Sequence, residues 1–487
     1  MKKVTISIII LLIVLILLGG GTLAYMYIAT DIFKTDRELF YKYISQNTEI
    51  FEIFKDEQLI SYKNKKQNTP YENNGKYYVK GMENYVPEQL IGFNVTFMGQ
   101  TDKANKYTDQ QIKLNYSEDT SITADYVNID DYYGVKIEGI LKKYLTIENN
   151  NLKELAQKLG ETDLTYIPDK IDFETVKSNT KYTEEEIEEI KSLIKTTLDD
   201  NLTDEMFISS ETIDGKKYQL NLTASQATNI KKQILEKFSN NELIMNRIKQ
   251  IYQDENNATE EQASQYIEEL KEEINDYANN EVEEETNISI IVYVQDKKLI
   301  KTELNIYSTT DEDEKYNIIL NKGTNNLVLE VQSYEAGEFI EQASINIEKI
   351  KENDKIEYKL SYETNDDVKI ALSMKWDGIQ TLEKINEQYI LEMDIDTEQI
   401  QYILTNQNTF KQVISEKVQD KELEIINEYD SEKLTNTMEK LGTALEQLDK
   451  QKMKEIGLEE ERNVILYYIP VLSIYVANTN ELLKSEK

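Results

Sequence analysis

Hydrophobic and polar positions divide the chain into stretches of different period. From Val4 to Ala29 no residue is charged. A bilayer core takes roughly 20 helical residues to cross, so this run is long enough to span one. Asp36 to Lys55, "DRELFYKYISQNTEIFEIFK", places Leu39, Phe40, Tyr43, Ile44, Phe51 and Phe54 at helical spacing. The polar stretch Asn64 to Gly81, with Pro70 and Gly75, reads as loop with at most a short strand. From Phe93 the period becomes two. "FNVTFMG", "QIKLNYS", "SITADYVNI" and "YYGVKIEG" predict consecutive antiparallel strands.

Helical signals follow. "NNNLKELAQKLG" stops at Gly160, and "YTEEEIEEIKSLIKTTLDD" has Thr183 as a cap and acids in its first turn. Asp214-Gly215 marks a hairpin. Ser225 to Phe238, Asn241 to Tyr252 and Thr259 to Asn279 read as helices, and the acidic "EVEEET" marks a boundary. From Asn287 to about Ile395 alternation returns as a long meander with one buried face. After Thr397 two helices are predicted, the second with a heptad-like series Leu434, Met438, Leu441, Leu445 and Leu448. The apolar "VILYYIPVLSIYVA", Val464 to Ala477, is broken by Pro470 and is short for a span. It reads as a buried core segment, or as one that docks on a bilayer or a membrane partner.

These patterns predict an α+β protein: an N-terminal transmembrane helix, then antiparallel sheets alternating with helical segments. The expected divisions are a cytoplasmic end at residues 1–3, a signal anchor at 4–29 and a membrane-proximal helix at 30–62. A first α+β domain at 63–282, a second sheet at 283–396 and a helical segment with an apolar tail at 397–487 complete it. The order sheet, helices, sheet, helices hints at a loose duplication, with "DGKKY" echoed by "QDKKL", but no fixed period supports it. Lys2 and Lys3 before the apolar run place the amino terminus in the cytoplasm and the bulk outside. Thr22 and Ala24 would fit a signal-peptidase site. The run stays apolar past them, and Tyr25 and Tyr27 sit where interfacial aromatics belong, which favours a retained anchor.

Composition narrows the chemistry. A formal charge of −36 leaves no basic footprint, so nucleic acid is not an expected partner. The expected partners are the lipid bilayer, through residues 4–29, and an apolar ligand or an envelope protein. The chain has no cysteine and no histidine. Disulfides, thiolate nucleophiles, Ser-His-Asp triads and HExxH zinc sites are therefore impossible. No cofactor is expected, because no nucleotide fingerprint is present; the glycines at Gly19 to Gly21 lie inside the apolar run.

"ATDIFKTDRELFYKYISQ", directly after the apolar run, resembles uncharacterised single-pass, membrane-anchored extracytoplasmic proteins of low-GC Gram-positive bacteria. That resemblance implies an extracytoplasmic location and no known activity. The long meander containing "DKKLIKTEL" is similar, at the level of fold, to the half-barrel sheets of lipoprotein carriers. This implies a concave apolar face around a lipid, although the lipidated cysteine of such carriers is missing here.

Candidate sites are few. With 33 tyrosines against 11 phenylalanines, a Tyr-rich binding surface is the first thing to seek, although Tyr is also a good strand residue. The cluster Tyr126, Asp130, Asp131, Tyr132 and Tyr133 is the candidate surface. "NIDDYYG" and "TTDEDEKYN" offer oxygen ligands but lack the EF-hand pattern, so a solvated turn is the plainer reading. No metal ligand and no catalytic residue is assigned. The expected function is a membrane-anchored, non-enzymatic binding or carrier module presenting a β-surface. A structural component of an envelope complex is the alternative, and a carboxylate-dependent glycan hydrolase the least favoured.

Overall fold

The computed structural model describes residues 34–458 apart from 47–52, 82–87, 89–90, 163, 165–166, 168, 171–182, 214, 257, 280–285, 309–314, 336, 365–368, 396–397 and 415–416. In chain order the elements are helices α1 (Asp36–Ile44) and α2 (Glu57–Asn68), then strands β1 (Tyr71–Lys80), β2 (Asn94–Asp102), β3 (Tyr107–Asn115), β4 (Ser121–Ile129), β5 (Tyr132–Ile137) and β6 (Tyr144–Glu148). Helices α3 (Leu152–Lys158) and α4 (Glu184–Asn201) precede β7 (Phe207–Thr212) and β8 (Gly215–Leu222). Next come α5 (Ala224–Ser239), α6 (Glu242–Asn256) and α7 (Glu260–Asn279). The meander follows: β9 (Thr286–Gln295), β10 (Lys298–Ser308), β11 (Lys315–Lys322), β12 (Asn326–Glu335), β13 (Glu338–Glu352), β14 (Lys355–Thr364), β15 (Lys369–Asp377), β16 (Lys384–Ile395) and β17 (Glu398–Phe410). A short β18 (Leu423–Ile425) and α8 (Ser431–Glu455) end the described chain.

The chain forms two compact units. The first contains residues 1–54, 172–348 and 361–368. In it β7 to β13 pair antiparallel in chain order. Alternation sends Tyr218, Leu220, Ile290, Val292, Leu304 and Ile306 to one face, where Leu39, Phe40 and Ile44 of α1, Ile194 of α4 and Ile234 of α5 join them in the core. The helices start where their caps dictate. Thr35 with Glu38, Thr183 with Glu186 and Thr223 with Gln226 form reciprocal capping boxes.

The β9–β10 connection is a two-residue turn with Asp296 at φ 51° and Lys297 at φ 63°. Both central residues thus occupy the left-handed region, as a type I′ turn requires. A side chain there carries a steric cost that glycine avoids. Lys297→Gly is expected to raise stability by about 0.5–1 kcal/mol after its own entropy cost is subtracted, measured by urea unfolding against the parent chain.

The second unit contains residues 55–171, 349–360 and 369–487. Its strands run β15–β16–β17–β1–β2–β3–β4–β5–β6 in antiparallel pairs, and β18 pairs parallel with β6. β1 is thereby seated between β2 and β17, a strand more than 300 residues later in the chain. Phe93, Val95, Leu114, Tyr116 and Ile122 form a core capped by Met453 and Leu448 of α8. A second cluster joins Leu155 of α3, Ile426, Tyr429 and Leu434 of α8.

The α+β expectation is corrected: the described protein is mainly β, with 18 strands. Of these, β6 and β18 were not predicted, and two more lie in stretches that read otherwise. The predicted loop Asn64–Gly81 is the end of α2 plus β1, and the predicted helix after Thr397 is β17. Their inward positions hold Asn73, Gly75, Asn406 and Asn408 in place of apolar residues, so the period-two signal is lost. The membrane-proximal helix is likewise two helices, α1 and α2. No helix among the described residues is long and apolar enough to cross a membrane. The expected anchor at 4–29 and the apolar tail Val464 to Ala477 lie outside the described residues.

Candidate functional site

The tyrosine cluster expected from the sequence is a hairpin. Tyr126 lies on β4 and Tyr132 and Tyr133 on β5, joined by a two-residue turn at Asp130-Asp131 in which Asp130 has φ 53°. The register puts Tyr126 and Tyr133 on one face and Tyr132 on the other. Burial raises the Tyr126 hydroxyl to a pKa of about 12, with the neighbouring Tyr133 adding to it. Asp131 sits at the rim in an ion pair of 2.9 Å with Lys170. Asn128 Nδ2 donates to the carbonyls of Asp130 and Tyr132, which fixes the turn. The five residues thus divide between two faces and a turn. Among the described residues no group of three or more His, Cys, Asp or Glu could hold a metal.

The second unit instead buries a polar cluster. Lys66 and Tyr62, one turn apart on α2, lie over Glu387 of β16 and Asn406 and Asn408 of β17. Both charged side chains are buried, Lys66 at 3% and Glu387 at 4% exposure. Lys66 Nζ stands 3.3 Å from both carboxylate oxygens. Tyr62 Oη donates to Oε1 at 2.7 Å, and the Nδ2 groups of Asn406 and Asn408 each donate to Oε2 at 2.8 Å. Burial alone would push the Glu387 carboxyl up. The Lys66 ammonium and the three hydrogen bonds outweigh it and hold the carboxyl below the usual value. Burial lowers Lys66 and its partner Glu387 raises it, with the net shift upward. Every oxygen of Glu387 is thus saturated by donors, and the pair acts as a clamp holding α2 to β16 and β17. The one loose end is Asn406 Oδ1, which is buried with no partner among the described residues.

Beside the clamp the same sheet face turns apolar. Ile370, Met393 and Ile400 form one cross-strand row over β15, β16 and β17; Leu372, Leu391 and Tyr402 form the next; Met374, Tyr389 and Leu404 the third. Ile370 is 38% exposed and Leu391 37%. The row after these contains Trp376, Glu387 and Asn406, so the clamp closes one end of the apolar grid. Trp376 packs edge-on to Tyr389 at 6.0 Å and to Tyr358 at 6.2 Å. The opposite face is mixed, with Ile390 and Ile403 in one of its rows. A cleft of about 370 Å³ there is lined by Lys375, Asp377, Asn386, Gln388, Thr405 and Gln407.

A signal for this site was present in the sequence. In "KINEQYILEMDI" the inward series Ile385, Glu387, Tyr389, Leu391, Met393 has one charge among apolar residues. A carboxylate at an inward strand position requires a buried partner.

No family model and no curated protein matches the chain. Solved structures that share some likeness are a porin mutant from Rh. blastica (6% identity, 70% of this chain and 98% of that one, TM-score 0.18), a structure titled for the asymmetric conductivity of engineered proteins (7%, 70% and 98%, 0.18), and the CymD monoaromatic hydrocarbon channel (8%, 73% and 91%, 0.17). At these scores the likeness establishes neither a shared fold nor a shared role.

Proposed function

We propose that this chain is a membrane-associated extracytoplasmic protein that binds or carries an apolar ligand without transforming it, and that the ligand lies on the β15–β17 face. The observation that carries the reading is the three-by-three apolar grid with exposed members Ile370 and Leu391. The other members are half-buried or, at Ile400, buried, so the exposed pair opens onto an apolar face that a ligand could cover. A ligand burying ten methylenes there would gain about 8 kcal/mol before association costs, enough for binding around the micromolar level or weaker. The absence of histidine and cysteine, and a buried carboxylate with no free lone pair, support a role without catalysis. Membrane association rests on the uncharged run from Val4 to Ala29 behind Lys2 and Lys3.

The test is titration with the fluorescent fatty acid cis-parinaric acid. The parent chain is expected to bind it saturably, and Leu391→Glu to weaken binding by about tenfold or more, because a carboxylate placed on the grid must be desolvated. Absence of saturable binding, or binding untouched by Leu391→Glu, would end the reading. The alternative of an envelope scaffold draws on α8, whose Met438 is 40% exposed within its heptad-like series. In-cell crosslinking from that helix to a second protein, without ligand binding, would favour it.

A further inference from the structure

We propose that the second unit carries a separate site for a small, hydroxyl-bearing anion, in the cleft on the sheet face opposite the apolar grid. Strand parity sets its walls. Lys375, Gln388 and Thr405 stand opposite one another across β15, β16 and β17, and Lys76 of β1 continues the row. Two residues along, Asp377, Asn386, Gln407 and Asn74 form a parallel row over the same four strands. All of these except Lys76 line the cleft of about 370 Å³, a volume at the small end of the range for ligand sites.

The charges there favour an anion. Lys375 is half-buried and makes no hydrogen bond or ion pair among the described residues. The two carboxylates that line the cleft are both engaged. Asp377 pairs with Lys355 at 3.6 Å. Glu387 commits its oxygens to Lys66, Tyr62, Asn406 and Asn408 on the other face. The charge left over is the Lys375 ammonium. In a chain of formal charge −36 it marks a concave place that attracts an anion while the surrounding surface repels one. Lys76 is exposed and likewise has no ion pair among the described residues; its Nζ lies 5.3 Å from the Tyr78 ring centroid. Its backbone is three strand spacings from Lys375, about 14 Å, so a ligand over Gln388 and Thr405 has an ammonium at each side.

The amides narrow the class further. Asn74 and Asn386 are exposed and Gln388 is half-buried. Neither Asn74 nor Gln388 has a side-chain partner among the described residues. Gln407 Nε2 donates to Asn386 Oδ1 at 2.7 Å, which leaves the Asn386 N–H donors and the Gln407 carbonyl open. Open groups of both kinds match hydroxyls, which donate and accept. An oxyanion at Lys375 with hydroxyls on the amides describes a sugar phosphate or a sugar acid.

The test is isothermal titration of the full chain in detergent with glucose 6-phosphate, glucuronate and, as the neutral control, glucose. At least one of the two anions is expected to bind saturably, and glucose at least about tenfold more weakly. Which anion binds tells phosphate from carboxylate. Lys375→Met should weaken binding by about tenfold, and Lys375→Arg by less than about threefold, because the cation is kept. Gln388→Ala, which leaves every charge in place, should weaken it by about threefold or more and takes over if Lys375→Met does not fold. Lys113→Met, two strands beyond Lys76 in the same row, should leave binding unchanged, which separates the cleft from a general effect of charge. Leu391→Glu, on the opposite face, should also leave it unchanged, so this site and the apolar grid fail or survive separately. No binding of either anion, glucose binding as tight as theirs, binding indifferent to Lys375→Met and Gln388→Ala, or an equal loss from Lys113→Met, would overturn the proposal.

Discussion

Glu387→Ala is expected to destabilise the second unit by about 3–5 kcal/mol, the cost of leaving one partner of a buried ion pair uncompensated. Removing the carboxylate strands the Lys66 ammonium at 3% exposure and takes the acceptor from Tyr62, Asn406 and Asn408. The loss is therefore larger than that of a surface pair such as Lys170 with Asp131, worth at most about 1 kcal/mol. The double replacement Lys66→Met with Glu387→Leu should recover most of the loss, because both charges then leave together. Trp376 is the sole tryptophan and touches Tyr389, two residues from Glu387. Its fluorescence in guanidinium titrations reports this unit directly.

The same clamp sets a pH window. Glu387 has a folded pKa below its ordinary value of 4.5, so its contribution is present above that value and is lost as pH falls through the folded pKa. Lys66 has a folded pKa above 10.5, so its contribution is full below that value and is lost as pH rises through the folded pKa. The tryptophan-monitored midpoint should therefore stay high between the two and fall at both ends. In the double replacement the fall attributable to this pair should vanish.

Phe40→Ala is expected to cost the first unit about 3–5 kcal/mol. Phe40 is fully buried, and its ring meets Phe207 at 5.3 Å where α1 lies against the β7–β10 sheet. Truncation leaves a cavity that the flanking strands, held by their ladder, cannot close. Hydrogen exchange should accelerate in Phe207–Leu222 and β9. Ile60→Ala, at 40% exposure on α2, should change stability by no more than about 0.5 kcal/mol and leave that exchange unchanged.

Much of the sheet was legible because burial wrote period two into the sequence. The strands β9 and β10 follow the alternation of the buried Ile290, Val292, Leu304 and Ile306, and β15 and β16 the alternation of Leu372 and Leu391 on one face. The helix α4 was legible from Thr183 and its first-turn acids, whose capping box forms. The misreading of β1 and β17 has one cause. β1 and β17 face inward with Asn73, Gly75, Asn406 and Asn408 because those positions surround Glu387 and its donors. A polar interior erased the pattern that identifies a strand, and the site and the missed strands are made of the same residues. Gly75 adds a packing reason: a Cβ there would stand 2.1 Å from the Phe97 ring and 2.5 Å from the Thr405 carbonyl oxygen. The pairing of β1 with β17 was illegible for a different reason, since no local signal announces a partner more than 300 residues away. The tyrosine hairpin was located correctly as strand and turn, but strand parity divides its rings between two faces.

The most direct test of an apolar ligand on the second unit is photolabelling with a diazirine fatty acid, followed by peptide mapping of the full chain. Labels should concentrate in Lys369–Asp377, Lys384–Ile395 and Glu398–Phe410, and excess unlabelled fatty acid should suppress them. Labelling spread evenly over the chain, or confined to the uncharged run near Met1 with none on these three strands, would contradict the account.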